Sequence, residues 1–298
     1  MLQPIVVGLD GSPESVAAAD WAAREALRRG LPLRLVHAWE GLPPDDESAV
    51  LPELQVPRYW ARRVLRSATD RLSERYPQAY ISAEQVRRPP VPALVGEAEA
   101  AELLVLGHQG LGGIAAAFAG SVASAVVARV RRPTVLVRAG WDAAHERVAD
   151  AEGGEADRGS HKEVLLALDL RHDCGELLDF AFGAAHARGA PLSILYAWHV
   201  TEGPHGAHRT RRATVQRDAE WALAAVVDPW REKYATVPVR TQAQPDRPVH
   251  VIAHAASGAG LLVVGRRIRH TAVGSRTGRI THWAIHHTRC PIAIVAHD

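Results

Sequence analysis

The feature that most constrains this chain is that it repeats itself. Residues 29–39 read RGLPLRLVHAW and residues 188–198 read RGAPLSILYAW, an offset of 159. The same offset carries Asp10, at the end of IVVGLD, onto Asp169, at the end of VLLALD. Further along, ELLVLG ending at Gly107 matches GLLVVG ending at Gly265, and RPTVLV around Pro133 matches CPIAIV around Pro291, both at offset 158. Matches in the same order at nearly one offset identify a duplication. The fold must therefore be built twice, from two halves of ordinary domain size. We read the domains as 1–140 and 161–298, joined by a polar, glycine-containing flexible linker over 141–160.

Each half alternates short apolar runs with helical segments. In the first, Ile5 to Leu9 is nearly all apolar and β-branched, as a strand buried on both faces requires. Asp10-Gly11-Ser12-Pro13 then supplies a turn, an N-cap serine and a proline at the first helical position. The helix runs to about Arg29, where Gly30 stops it. Strands follow at Leu33 to Ala38, Ile81 to Val86, Glu102 to Gly107 and Thr134 to Arg138. Helices are expected at 57–76, 91–101 and from about Gly120 to Val130. The second half repeats the order, with strands near 163–168, 191–197, 237–242, 261–265 and 292–296. The reading is an α/β fold of two tandem five-stranded parallel-sheet domains, with helices on both faces of open sheets. The two short apolar terminal strands, Thr134 to Val137 and Ile292 to Val295, are expected at sheet edges. There they would pair the two domains within the chain, or two chains in a homodimer.

Composition excludes more than it selects. Hydrophobic residues make up 47% and charged residues 23%, as in a soluble globular protein, and a net charge of +2 gives no reason to expect nucleic acid or a membrane surface. No apolar run is long enough to span a membrane, and the N-terminus lacks the pattern of a signal peptide. Two cysteines outside any metal spacing, Cys174 and Cys290, fit a reducing cytoplasmic compartment. There is no P-loop lysine motif, no G-x-G-x-x-G after the first strand and no G-x-S-x-G nucleophile elbow.

Ligands of parallel sheets bind beyond the carboxyl ends of the strands, and Asp10, Ala38 and Gly107 stand at such ends. After the fourth strand comes Gly107-His-Gln-Gly110, then nine residues, then Gly120-Ser121-Val122. A glycine at a strand end allows close backbone approach and positive φ. Gly120-Ser121 is expected to open a helix, whose free N–H groups and dipole favour an anion. With the Asp at the end of the first strand, this G-x2-G-x9-G-S pattern resembles the ATP-binding universal stress proteins. The resemblance covers both copies. It implies an adenine-nucleotide α-hydrolase-like, Rossmann-like domain that binds ATP, accompanied by Mg2+. Asp10, with Ser12 beside it, and the backbone at Ala38 would meet adenine or its ribose. Leu106 and Gly107 would line the ribose and α-phosphate, and Gly110, Gly120, Ser121 and Val122 would hold the phosphates. The family often has glycine where this chain has Arg88.

The second copy departs from the pattern. Gly265-Arg-Arg-Ile268 replaces Gly-x2-Gly, Gly278-Arg279 replaces Gly-Ser, and Leu170-Arg171 replaces Gly11-Ser12. ATP binding in the family's mode is expected to be lost there. The loop bearing Arg266, Arg267, Arg269, His270, Arg276 and Arg279 is basic enough to take another anion. His282 and His286, one helical turn apart, have a spacing that can chelate metal, but no nearby Glu, Cys or Asp ligand accompanies them and surface or interface histidines are expected. Cys174 follows a possible helix start, where a thiolate is favoured, but an ordinary free cysteine is expected. Three functions follow as alternatives: a stress-response binding protein acting through an unknown protein partner, a slow ATPase using the same loop, or a nucleotide-free scaffold.

Overall fold

The computed structural model describes residues 2–40, 56–109, 116–148, 160–199, 208–268 and 277–298, leaving out the side chains of 56–58, 116–121 and 208–212. The chain divides into two compact units, Met1–Asp142 and Ala143–Asp298. The first contains β1 (Ile5–Gly8), α1 (Pro13–Arg29), β2 (Leu33–Ala38), α2 (Val56–Arg75), β3 (Ile81–Val86), α3 (Pro90–Glu99), β4 (Leu103–Gly107), α4 (Ala116–Val127) and β5 (Thr134–Val137). The second contains β6 (Val164–Leu168), α5 (Gly175–Arg188), β7 (Leu192–Ala197), α6 (His208–Lys233), β8 (Val239–Gln244), α7 (Pro248–Ala256), β9 (Leu261–Arg267), α8 (Arg279–His287) and β10 (Ile292–His297).

Within the first unit the strands lie in the order β3-β2-β1-β4-β5, all parallel. Within the second the order is β8-β7-β6-β9-β10, again all parallel. The sheets are open, and the expected α/β fold is the one observed. The strand order reverses direction between β1 and β4, and between β6 and β9. Those reversals open a crevice at the carboxyl ends of the strands.

Local sequence explains the matching geometry of the two first helices. Ser12 caps α1, accepting the Ser15 N–H, and Pro13 opens it. Gly30 closes α1 at φ 63°, and Gly189 closes α5 at φ 59°, the left-handed conformation that favours glycine. Beneath them the strands β1, β4, β6 and β9 are almost wholly apolar and buried on both faces. A polar network links α1 to the end of α2. Asp20 on α1 pairs with Arg24, accepts a bond from the Tyr76 hydroxyl at 2.9 Å and meets Arg75 at 3.2 Å.

Three details differ from expectation. Helix α4 begins at Ala116, four residues before Gly120, because the alanine-rich run preceding Gly120 is strongly helix-forming. The basic segment after Val264 is not all loop, since β9 continues through Arg266 and Arg267. The expected linker is anchored at both ends: Arg147 and His161 form an antiparallel bridge, and the Val148 N–H reaches the Ser160 carbonyl at 2.9 Å.

Candidate functional site

Asp10 follows β1 at the crevice. Ser12 donates twice to its Oδ1, from the backbone N–H at 2.9 Å and from the hydroxyl at 2.6 Å. Burial pushes the carboxyl up, but hydrogen bonds from Ser12, with smaller ones from Ser15 and its own backbone, outweigh it and hold Asp10 below its ordinary value. Both Ser12 bonds converge on Oδ1, the Ser15 hydroxyl is a further donor to the carboxylate, and the residue is exposed at the crevice with no cation paired to it among the described residues. Ser12 thus does two jobs, capping α1 and orienting Asp10.

Ala38 ends β2, in register with Val86, and is half-buried. Beside it Trp39 donates its N–H to the Val86 carbonyl at 3.1 Å, and the Arg87 guanidinium lies 5.8 Å from the Trp39 ring centroid. The exposed Arg88, where the family often has glycine, bonds back to the Val86 carbonyl through its N–H.

The residues expected to line the ribose and α-phosphate have structural roles of their own. Leu106 is buried, and its side chain fills the space above Gly8, where an added Cβ would stand 2.7 Å from the Leu106 Cδ2. Any ligand contact it makes is through its backbone. Gly107 does not have positive φ, contrary to one of the two reasons for a glycine there. The other reason, close approach, holds, but the approaching group is α1. A Cβ on Gly107 would lie 2.5 Å from the Ser15 nitrogen and 2.6 Å from the Glu14 carbonyl carbon.

Gly110 lies outside the described residues. Gly120 and Ser121 fall in the second turn of α4, so the free N–H groups of that helix belong to Ala116 and its successors rather than to Gly120. Val122, on the same helix, is half-buried. The structure therefore brings Asp10, Ser12, Ala38 and Gly107 to one end of the sheet and leaves the phosphate-side residues on or before α4.

Sequence reasoning missed His37. It is only 7% exposed, and its Nδ1 has no hydrogen-bond partner among the described residues. Burial pushes its pKa down, against the Leu9 backbone and the Asp10 carboxylate, which both favour the charged form. A neutral imidazole thus lies one residue inside Ala38. The repeat signals the position, because Tyr196 replaces it in the second copy, where it stacks on Trp198 at 5.3 Å.

At the equivalent end of the second unit, Arg171 binds both oxygens of Asp169, through Nε to Oδ1 at 2.8 Å and Nη2 to Oδ2 at 2.6 Å. Hydrogen bonding from Arg171 holds Asp169 below its usual value. The β9–β10 ladder runs two pairs further than β4–β5, adding Ala296–Arg266 and His297–Arg267, and the Ile268 N–H then bonds the His297 carbonyl at 2.7 Å. Where the first unit leaves its last ladder pair at Gly107–Val137, the second has strand. The positions that correspond to His108 and Gln109 are thus locked into the sheet. Arg269, His270 and Arg276 lie outside the described residues, while Arg279 opens α8 and is exposed.

Cys174 is a buried free cysteine, as expected, and not a thiolate. The residue precedes α5, is 6% exposed, and burial beside Asp173 and Asp169 pushes the thiol up to about 11. The dipole of the helix end does not offset that desolvation. The His282 and His286 rings stand 4.5 Å apart, and among the described residues no group of three or more His, Cys, Asp or Glu is arranged to hold a metal ion. Among them, too, no helix is long and apolar enough to cross a membrane.

Comparison with known proteins gives one answer at every level. The model of the Universal stress protein family matches residues 1–138 and again 160–296. Universal stress protein Rv2005c of Mycobacterium tuberculosis is 30% identical over 303 residues, covering 97% of this chain and 96% of the relative. A universal stress protein of Mycolicibacterium smegmatis is 33% identical over 303 residues, covering 98% and 96%. The crystal structure of a universal stress protein from Archaeoglobus fulgidus matches with a TM-score of 0.60 at 14% identity, over 99% of both chains, a likeness of fold.

Proposed function

The chain belongs to the universal stress protein family as a tandem of two such domains, and from that premise we propose that its first unit binds an adenine nucleotide, ATP with Mg2+, as a cytoplasmic stress-response regulator. The observation that carries this reading is the contrast between the two aspartates. Asp10 is exposed at the crevice, oriented by serine donors and paired with no cation among the described residues, whereas both oxygens of Asp169 are taken by Arg171. The glycine-rich segment from Gly107 to Ser121 supports the same reading, because only the first copy has it.

In this reading Asp10 accepts a hydroxyl of the ribose or a donor of the base, and the backbone at Ala38 meets the adenine edge. The start of α4 supplies N–H donors to the phosphates, with Gly110, Gly120, Ser121 and Val122 around them. Mg2+ enters with the triphosphate; no residue of the chain is assigned to it. The role assigned is binding, and no residue of the chain is given a catalytic part.

Nucleotide released from the purified protein on denaturation, with a titration of the emptied protein, tests the reading. Adenine nucleotide in the extract or a saturable titration is expected, and absence of both would sink it. Turnover of bound ATP is expected at background level in wild type and in a Gly120→Val control alike. Turnover that the control abolishes would instead establish a slow ATPase. Ser121→Ala is expected to weaken binding by roughly 1 kcal/mol, because backbone donors remain. A loss of several orders of magnitude would give the hydroxyl a larger part.

A further inference from the structure

The repeat makes a substitution pattern visible at the carboxyl ends of β6, β9 and β10. By the offsets of the duplication, Arg171, His172, Arg267 and His297 stand where the first unit has Ser12, Pro13, Gln109 and Ala139. Four neutral positions have become two arginines and two histidines, all at the end of the sheet where such folds take ligands.

Arg267, His172 and His297 form one cluster, with Arg171 next to His172 in the chain. Arg267 Nη1 lies 3.0 Å from His172 Nε2. The His172 and His297 rings are 6.3 Å apart. His297 is the ladder partner of Arg267, and its Nε2 stands over Gly265, 2.7 Å from where a Cβ would be. Arg171 is 78% exposed on its Asp169 bridge.

The acids at this end do not neutralise Arg267. Asp169 is engaged at both oxygens by Arg171, and Asp173 Oδ1 accepts the Gly175 N–H at 2.9 Å. The exposed Asp298 meets His297 through its backbone carbonyl at 3.1 Å. Among the described residues no carboxylate pairs with Arg267, which is exposed and keeps four of its five N–H donors after the contact to His172.

We infer that this end of the second unit binds a phosphate dianion, free or as a phosphomonoester, held by the Arg267 guanidinium with His172 and His297 and bounded by Arg171. The guanidinium fork matches two phosphate oxygens, and the Nδ1–H that His172 carries when its Nε2 accepts from Arg267 serves a third, while His297, whose Nδ1 donates to the Asp298 carbonyl, offers Nε2–H as an imidazolium. The ligand is read by its phosphate alone, because the Arg171 bridge closes Asp169 to a ribose. The site differs from the glycine-loop mode of the first unit. It is independent of nucleotide binding there.

The test is calorimetric titration of the full chain with inorganic phosphate and, separately, glycerol 3-phosphate, at ionic strength fixed with chloride. The comparison is with Arg267→Gln/His297→Ala, which installs the residues of the first unit. Saturable binding by wild type and a dissociation constant raised at least about tenfold in the double variant are expected. Binding of inorganic phosphate alone, or of both ligands, tells which source the site accepts. Equal affinity in the double variant, no saturable binding to wild type, or a signal reproduced by chloride would overturn the inference. Should the double variant unfold, Arg267→Gln alone, a change at an exposed strand end, is expected to weaken phosphate at least fivefold.

Discussion

Asp10 and Asp169 occupy the same place in two copies of one fold, and their neighbours alone give them different chemistry. Neutral serine donors orient Asp10, whereas the Arg171 guanidinium takes both oxygens of Asp169. His37 has a consequence of its own. Its folded-state pKa is depressed, so the unfolded chain binds more protons as pH falls through the imidazole range. Stability supplied by the neutral ring is therefore present above the ordinary value and lost as pH drops through the lowered one. The melting temperature is expected to fall from pH 7.5 to 5.5 in wild type and to fall less in His37→Phe. Equal slopes would remove His37 as the cause. Cys174 gives a second residue-scale prediction. With its thiol raised to about 11 and buried, it is expected to react with a thiol reagent at neutral pH only after unfolding. Fast labelling of the native protein would contradict the burial argument.

At the scale of elements, Gly107 and Gly265 mark the ends of equivalent strands but are needed for different reasons. A Cβ at Gly107 meets α1 backbone at 2.5 Å, which moves only if the helix moves; a Cβ at Gly265 meets the ends of the His297 and Leu177 side chains. Gly107→Ala is expected to destabilise by about 1–3 kcal/mol, the range for overpacking, and Gly265→Ala by clearly less. Denaturant unfolding of both variants checks the order, and a reversed order would refute it. Much at this scale was legible beforehand. Apolar runs, the Ser12-Pro13 start and the Gly30 stop located strands and the first helix within a residue or two, because each depends on local chemistry. The start of α4 does not follow from glycine and serine at 120 and 121, because the alanine-rich run before them is the stronger helix former. The longer β9–β10 ladder was not legible at all, since it depends on two segments some thirty residues apart agreeing to continue.

For the whole molecule, duplication is the economical fact: one fold, built twice, with the two crevices diverged. The first keeps the glycine segment and an exposed aspartate held by serines. The second trades them for strand, arginine and histidine. The aspartates and strand-end positions of the site could be found by comparing the chain with itself. The Arg171 bridge could not, because only folded geometry shows that one side chain closes both oxygens. The account thus predicts functional asymmetry between two halves that are alike in fold. The most direct measurement is the stoichiometry and affinity of ATP by titration calorimetry on the full chain, in wild type and in Asp10→Ala. One ATP per chain is expected, with affinity falling at least about tenfold in the variant, as for loss of a hydrogen bond to a charged group. Two equivalent ATP per chain, or unchanged affinity in Asp10→Ala, would contradict the assignment of the nucleotide to the first unit.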